Sequence, residues 1–262
     1  MNNKPIGLFD SGIGGTSIWK EVIKLLPNEK TIYLADSKNA PYGKKSIEEI
    51  IQLSVKNTEY LLSKGCKIII VACNTATTNA IDYLRNKYTV PFIGIEPAIK
   101  PAALQSKTGA IGILATKGTL SSKLFEKTAN EYSKNITTIE QDGDGLVKLI
   151  EEGKLNSVEL KTLLNKYLKP MLNFNIDHLV LGCTHYPYLI PQIKSLIGED
   201  VKIIDSGEAV AKQTKAVLEK NNLISFPQDT IQHQLYINSN KTVLQNILKN
   251  TPTNYIVTEL HF

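Results

Sequence analysis

The sequence predicts an α/β protein made of two similar α/β domains with mainly parallel sheets and a cleft between them. Two observations lead to this fold class. Strand-length apolar runs alternate with segments of helical period along the chain, which is typical of parallel strands joined by right-handed crossovers. A set of motifs in the first hundred residues then returns, in the same order, in the second hundred.

Apolar runs supply the predicted strands of both units. The first unit has strands at 6–10, 31–35, 68–72 and 92–95, separated by helices at 17–26, 47–64 and 77–87. The second unit has strands at 110–114, 137–140, 178–181 and 201–204, with helices after Thr119, at 145–152, at 158–173 and after Pro191. Two further strand patterns follow at 234–237 and 255–259.

The two units look duplicated. The strand at 6–9 resembles the strand at 111–114, and the stretch 70–75 around Cys73 resembles the stretch 180–185 around Cys183. An apolar strand comes about 18 residues after each of these cysteines. All open α/β units share apolar strands and glycine turns, but that likeness does not explain a cysteine at both matched strand ends. The repeat therefore predicts two domains related by pseudo-twofold symmetry.

The functional prediction depends on Cys73 and Cys183. Ligands of open parallel sheets bind at the carboxyl ends of the strands, and both cysteines follow a strand there. A twofold relation between the domains places one thiol on each wall of the cleft. One thiol can then remove a proton from a carbon atom while the other returns a proton to the opposite face. Cys66 lies outside the repeat and is predicted to pack as a small buried hydrophobe.

Neighbouring groups are predicted to assist these thiols, whose unperturbed pKa is about 8.5. Helices that begin after each cysteine offer backbone N–H groups that favour a thiolate or a substrate carboxylate. Asp10 ends the first strand, beside Cys73, and is predicted to accept the thiol proton or to hold a substrate ammonium group. His185 lies two residues after Cys183, with Glu151 or Glu152 as its partner.

The glycine-rich segment after the first strand imitates a dinucleotide-binding fingerprint. Gly12-Ile13-Gly14 follows a strand, and Asp36 ends the next strand. Ser17 stands where the third glycine belongs, and Asp10 would place a carboxylate beside the pyrophosphate. A nucleotide cofactor is therefore disfavoured. The polar loop at 35–43 is a candidate for ligand contacts instead.

Composition argues against several other classes. The formal charge of +5 comes mostly from scattered lysines, without the arginine-rich patch that nucleic-acid binding favours. No apolar run reaches membrane-spanning length and the N-terminus has no leader pattern, so we expect a cytoplasmic protein with neither a membrane nor a nucleic-acid partner. Cys183 and His185 have no second closely spaced pair, so no metal site is predicted. A homodimer is the commonest default for the oligomeric state.

Four motifs resemble the signature motifs of the glutamate racemases, in the aspartate/glutamate racemase superfamily. They are Phe9-Asp10-Ser11-Gly12-Ile13-Gly14-Gly15, Ala40-Pro41-Tyr42-Gly43, Ala72-Cys73-Asn74-Thr75-Ala76 and Leu181-Gly182-Cys183-Thr184-His185-Tyr186-Pro187. The similarity extends from about Ile6 to Ala209. It implies interconversion of L- and D-glutamate without pyridoxal phosphate or another cofactor, which supplies D-glutamate for peptidoglycan.

The resemblance also implies roles for individual residues. Cys73 and Cys183 are the implied catalytic bases, Asp10 assists Cys73, and His185 with a glutamate assists Cys183. Glu151 is preferred as that glutamate, and the preceding segment 141–147 departs from the cysteine-proline motif of many family members. The implied substrate contacts are Asp10, Ser11, Tyr42, Gly43, Asn74, Thr75, Thr116, Thr184 and His185. In this family the C-terminal portion returns to the first domain, so the expected domains are 1–97 plus 208–262 and 98–207.

Three alternatives stay open at this point. Racemases of the same superfamily that act on aspartate or on a hydantoin share the cysteine pair. A cysteine–histidine hydrolase would use Cys183 or Cys73 as its nucleophile and His185 as its base, which leaves one duplicated cysteine unused. An amino-acid-binding sensor needs a cleft between two domains but not two thiols.

Overall fold

Two parallel sheets organise the part of the chain that the structure describes. The computed structural model describes residues 3–132, 136–227 and 230–262. Its strands are β1 (Ile6–Asp10), β2 (Thr31–Ala35), β3 (Ile68–Val71), β4 (Phe92–Gly94), β5 (Ala110–Ala115), β6 (Thr137–Asp142), β7 (His178–Gly182), β8 (Lys202–Ile204), β9 (His233–Ile237) and β10 (Tyr255–Glu259). Its α-helices are α1 (Thr16–Leu25), α2 (Ile47–Ser63), α3 (Asn74–Lys87), α4 (Ile99–Gln105), α5 (Lys117–Leu120), α6 (Lys123–Tyr132), α7 (Leu146–Glu151), α8 (Val158–Leu172), α9 (Ile190–Ile197), α10 (Gly207–Lys220) and α11 (Lys241–Leu248). Short 3-10 helices span Ser37–Asn39, Tyr42–Lys44 and Tyr186–Leu189.

The strand order confirms the predicted fold class. The first sheet has the order β10-β9-β2-β1-β3-β4 and the second has the order β6-β5-β7-β8. All neighbouring strands in both sheets are parallel. The order β2-β1-β3-β4 returns as β6-β5-β7-β8, so β1 corresponds to β5 and β3 to β7. These are the strands that the sequence repeat pairs.

The C-terminal segment returns to the first sheet. Strand β9 lies beside β2, with Ile32 opposite Gln234, and β10 forms the edge next to it. Helix α10 packs against α1. The domain boundaries at 97/98 and 207/208 stay a prediction, and the second of them falls at the first residue of α10.

The central strands are buried on both faces. Strands β1, β2, β3, β5 and β7 contain buried residues throughout. Helices that cover both faces of a parallel sheet explain why these strands are nearly continuous apolar runs. The strands β6, β8 and β10 lie at sheet edges and are partly exposed.

The helices differ from the prediction in two ways. Helix α3 begins at Asn74, three residues before the predicted start at 77, because Cys73 caps the helix and the polar first turn is already helical. Helices α4, α10 and α11 were not predicted. In α10 the buried residues Val210, Ala211, Thr214 and Leu218 follow the helical period. No helix in the described ranges is long and apolar enough to cross a membrane.

A buried ion pair anchors the chain that follows α10. The Nζ atom of Lys67 lies 2.6 Å from Oε2 of Glu29, and both side chains are almost fully buried, at 1% and 3% exposure. Ser225 donates to Glu29 from its backbone N–H, at 2.7 Å, and from its hydroxyl, at 2.9 Å. The carboxylate therefore links the C-terminal segment to the residue that precedes β3.

We expect Glu29→Gln to destabilise the protein by about 3 kcal/mol, because it removes the charge of a buried carboxylate that pairs with Lys67 and accepts two hydrogen bonds from Ser225. Urea unfolding measures this change. The control is Glu21→Gln, since Glu21 pairs with Lys24 at 3.7 Å on the surface, where an ion pair contributes about 1 kcal/mol or less. Equal stability losses in the two variants would contradict this role of the buried pair.

Candidate active site

Cys73 and Cys183 line one small cavity between the loops of the two sheets. Each cysteine lies just beyond the carboxyl end of a matched strand, β3 or β7. The cavity has a volume of about 10 Å³ and is lined by Ser11, Pro41, Tyr42, Gly43, Cys73, Asn74, Thr75, Thr116, Val147, Cys183, Thr184 and His185. The structure thus brings together both cysteines and every expected substrate contact except Asp10. Asp10 is fully buried and does not line the cavity. We call this space the inner cavity.

Cys73 caps the first turn of α3. Its Sγ atom accepts a hydrogen bond from the backbone N–H of Ala76 at 3.4 Å, and its thiol donates to Oγ of Ser11 at 3.7 Å. Burial and the negative charge of Asp10 raise the pKa of Cys73 well above its ordinary value, although the Ala76 N–H opposes the shift. The sulfur is therefore held as a thiol in the closed cavity.

Asp10 is fully buried next to Cys73. Its Oδ2 atom accepts hydrogen bonds from the backbone N–H groups of Gly12, at 3.2 Å, and Gly15, at 2.9 Å. Its Oδ1 atom accepts a hydrogen bond from the hydroxyl of Thr184, at 3.3 Å. Burial raises the pKa of Asp10 in spite of the nearby His185. A carboxylate with a raised pKa is a better proton acceptor for a thiol.

His185 lies between the two cysteine sides of the site. Its Nδ1 atom is 3.8 Å from Sγ of Cys183 and 4.0 Å from Oδ2 of Asp10, and its Nε2 atom is 2.5 Å from Oε1 of Glu151. Burial opposes protonation, but the contacts with Cys183, Glu151 and Asp10 outweigh it and raise the pKa of His185 well above its ordinary value. His185 therefore contacts Cys183 on one side of the site and Asp10 on the other.

The structure places Glu151, rather than Glu152, against His185. Oε1 of Glu151 also accepts the backbone N–H of Ile13 at 2.7 Å, and Oε2 accepts the hydroxyl of Ser37 at 2.7 Å. Glu152 instead lies 2.6 Å from Nζ of Lys154 at the surface. Segment 141–147 departs from the family motif, but Glu151, which follows this segment, still lies next to His185.

The glycine-rich segment makes room for this pair of side chains. A Cβ atom at Gly12 would collide with the carboxylate of Glu151, and one at Gly14 would collide with the ring of His185. At Gly15 a Cβ atom would lie 2.7 Å from Cβ of Asp10. The glycines that imitate a dinucleotide-binding fingerprint thus let the loop approach a carboxylate and an imidazole.

Asn74 carries unpaired polar atoms into the inner cavity. Its side chain is 2% exposed, and neither its Oδ1 nor its Nδ2 atom has a hydrogen-bond partner among the described residues. A buried amide without partners costs free energy unless a ligand or a water pairs with it. Asn74 is therefore available to a bound molecule.

Other expected contacts already have partners within the protein. The Tyr42 hydroxyl donates to Asp36 at 2.5 Å and accepts from Asn57 at 3.2 Å. This hydroxyl is therefore already hydrogen-bonded within the protein. The hydroxyls of Thr75 and Thr116 lie 2.8 Å apart and join the two sides of the cleft.

Val147 lines the inner cavity but was not among the expected contacts. Pro41 and Ser37 belong to the polar loop at 35–43, the predicted candidate for ligand contacts; Pro41 lines the inner cavity and Ser37 binds Glu151. The loop follows β2 at the same sheet edge as Asp10, where ligands of parallel sheets bind. Val147 lies on α7, where an apolar residue has no sequence signal that separates a cavity wall from the core.

The fold and the pair of cysteines agree with one family of racemases. The model of the Asp/Glu/Hydantoin racemase family matches residues 10–214. The chain belongs to this family and is an isomerase.

Within the family, the similar proteins include glutamate racemases. The chain is 44% identical over 86% of its length to the glutamate racemase of Herpetosiphon aurantiacus, of which 89% is covered. It is 45% identical over 86% of its length to that of Ectopseudomonas mendocina, of which 86% is covered. The crystal structure of glutamate racemase RacE1 from Bacillus anthracis matches with a TM-score of 0.87 and 29% identity, covering 100% of this chain and 99% of that one. Escherichia coli glutamate racemase, in complex with L-glutamate and the activator UDP-MurNAc-ala, matches with a TM-score of 0.86 and 29% identity, covering 98% of each chain.

We expect Glu151→Gln to lower the pKa of His185, because the change removes a negative charge 2.5 Å from Nε2. A ¹⁵N NMR titration of the histidine ring nitrogens measures this pKa. The chain has 4 histidines, so few signals overlap. Glu152→Gln is the matched control and should leave the His185 titration unchanged. A His185 midpoint that is the same in both variants would show that Glu151 does not support the imidazolium.

Proposed function

We propose that this protein interconverts L- and D-glutamate without a cofactor, with Cys73 and Cys183 as the two bases. The observation that carries the proposal is the placement of both thiols on one closed cavity, each beyond a matched strand end. The similarity to glutamate racemases supports glutamate as the substrate. In this proposal Asp10 assists Cys73, and His185 with Glu151 assists Cys183.

In the proposed reaction, the two sulfurs exchange roles with the direction of turnover. The thiolate of one cysteine removes the α-proton of glutamate, and the thiol of the other donates its proton to the opposite face of the planar carbanion. One C–H bond breaks and one forms, so the configuration inverts and no net proton is consumed. After the turnover the protonation states of the two sulfurs are reversed.

Activation of Cys73 requires a change in its surroundings, since burial and Asp10 raise its pKa. The ammonium group of a bound substrate supplies a positive charge that favours the thiolate. Asp10, whose own pKa is raised, accepts the thiol proton in this scheme. On the other side, His185 and Glu151 form the acid–base group beside Cys183.

Neutral donors bind the substrate carboxylates in this proposal. Among the described residues that line the inner cavity, none is lysine or arginine. The N-terminus of α3 offers free backbone N–H groups at Asn74 and Thr75, where a carboxylate is favoured by the helix dipole. The side chains of Asn74, Thr116, Thr184 and Ser11, with the backbone of Gly43, complete the proposed contacts.

Substrate entry requires the two sides of the cleft to separate. A cavity of about 10 Å³ holds about one water molecule, and glutamate is several times larger. A second cavity of about 960 Å³, the outer cavity, shares Pro41, Gly43, Thr116 and Val147 with the inner one. These four residues therefore form the wall that glutamate has to pass.

The setting of the enzyme follows from the product. We propose that D-glutamate enters peptidoglycan precursor synthesis and that the protein works in the cytoplasm, with a homodimer as the default assembly. Gel filtration with light scattering checks the last point.

Incubation with L-glutamate in deuterated water, without added cofactor or metal, tests the reaction. We expect optical activity to fall to zero and deuterium to appear at the α-carbon of both enantiomers, because the returned proton comes from a thiol that exchanges with solvent. Parallel incubations with L-aspartate and a hydantoin test the substrate class. Unchanged optical activity with glutamate, or faster loss with either alternative, would overturn the proposal for glutamate.

Single substitutions test the two bases. We expect Cys73→Ser and Cys183→Ser each to lower the turnover number for racemisation by about 10²–10⁴-fold, because a hydroxyl is a much weaker proton acceptor than a thiolate. Cys66→Ala is the control, since Cys66 is buried and does not line the inner cavity. Wild-type turnover in either serine variant would exclude a two-thiol mechanism.

A further inference from the structure

The carboxylate of Glu151 is held mainly by the opposite side of the cleft. Glu151 ends α7, which packs against α8 and the 3-10 helix Tyr186–Leu189, after β7 of the second sheet. Apart from His185, its hydrogen-bond donors in the described ranges are Ile13 and Ser37. These two residues follow β1 and β2 of the first sheet.

Each oxygen of Glu151 has a distinct set of partners. Oε1 accepts the Ile13 N–H and contacts His185, whereas Oε2 is bound by the Ser37 hydroxyl. A carboxylate fixed at one oxygen can still rotate about its terminal torsion, which is broad. The Ser37 hydroxyl fixes the second oxygen and so orients the first toward Nε2 of His185.

The two thiols differ in the origin of the hydrogen bonds that hold their assisting groups. For Cys73 most of these bonds come from its own side of the cleft, and for Cys183 they come mainly from the opposite side. Cys73 is bound by Ala76 and Ser11, and Asp10 by the backbone of Gly12 and Gly15, all of which belong to segments of the first sheet. Asp10 has one hydrogen bond across the cleft, from Thr184. Separation of the two sides leaves the bonds within the first sheet's segments in place. The bonds from Ile13 and Ser37 to Glu151 cross the cleft and are lost.

We propose that Ser37 is a positioning residue that orients Glu151 toward His185 only when the cleft is closed, so that closure completes the acid–base group beside Cys183. This inference rests on the proposed function for its link to turnover. Ser37 lines the outer cavity but not the inner one, so it acts through Glu151 and not on the substrate.

The test compares Ser37→Ala with Ser37→Thr, which keeps a hydroxyl, and with Ser239→Ala, which alters another serine on the outer cavity wall. We expect Ser37→Ala to lower kcat for glutamate about tenfold, as loss of one hydrogen bond to a charged group predicts. KM should stay unchanged, because Ser37 does not line the inner cavity. Ser37→Thr should restore most of the turnover, and Ser239→Ala should match the wild type.

The pH profile separates a positioning role from a merely structural one. The charged and titratable groups that face His185 are Asp10, Glu151 and Cys183. A poorly oriented Glu151 stabilises the imidazolium less, so in Ser37→Ala the basic limb of kcat that reports loss of the His185 proton should move to lower pH. The ¹⁵N titration of His185 should move in the same direction, while the Ser239→Ala titration should not move.

Several results would overturn this inference. They are a wild-type kcat in Ser37→Ala, a loss of kcat with an unchanged pH profile, or an effect confined to KM. If the wild-type protein does not racemise glutamate, the proposed function fails and the His185 titration decides the role of Ser37 by itself. An unchanged titration in Ser37→Ala then excludes it.

Discussion

The contact between His185 and Glu151 is the interaction on which the rest of the site depends. A fully buried imidazolium is costly unless negative charge and hydrogen bonds compensate for lost hydration. Glu151 at 2.5 Å and Asp10 at 4.0 Å provide that charge. The same contact requires glycine at positions 12 and 14, where any side chain would occupy the space of the carboxylate or the ring. The loop after β1 is thus shaped by an acid–base pair that belongs to the other sheet.

The contacts that join the two sheets are therefore the same contacts that hold the charged groups of the site. Asp10 and His185, the groups beside the two different thiols, lie within one network, and Thr184 donates to Asp10 across the cleft. The charges act in a cavity that excludes bulk water, where electrostatic interactions are stronger than in solution. The network is nevertheless asymmetric. Asp10 receives backbone hydrogen bonds from its own loop, whereas Glu151 receives hydrogen bonds from loops of the opposite sheet.

The duplicated architecture explains why two thiols meet. The strand order β2-β1-β3-β4 returns as β6-β5-β7-β8, so equivalent positions beyond β3 and β7 carry Cys73 and Cys183. The two units differ in what surrounds these cysteines. The first sheet has two further strands, β9 and β10, from the C-terminal segment, which the buried pair of Lys67 and Glu29 helps to anchor. Each thiol consequently has different neighbours despite the common topology.

The sequence by itself determined the α/β class, the repeat and the positions of Cys73, Cys183 and Asp10 at strand ends. These features are local, because apolar strands and the polar residues after them are contiguous in the chain, and parallel strands bring their carboxyl ends to one edge. Only the tertiary structure decided between Glu151 and Glu152, assigned the glycines to side-chain clearance and connected Ser37 to the site. Ser37 and Glu151 are 114 residues apart, and they meet because the loops at the carboxyl ends of the two sheets face each other across the cleft. Contacts of that kind depend on the relative placement of whole sheets, which no local pattern of residues encodes.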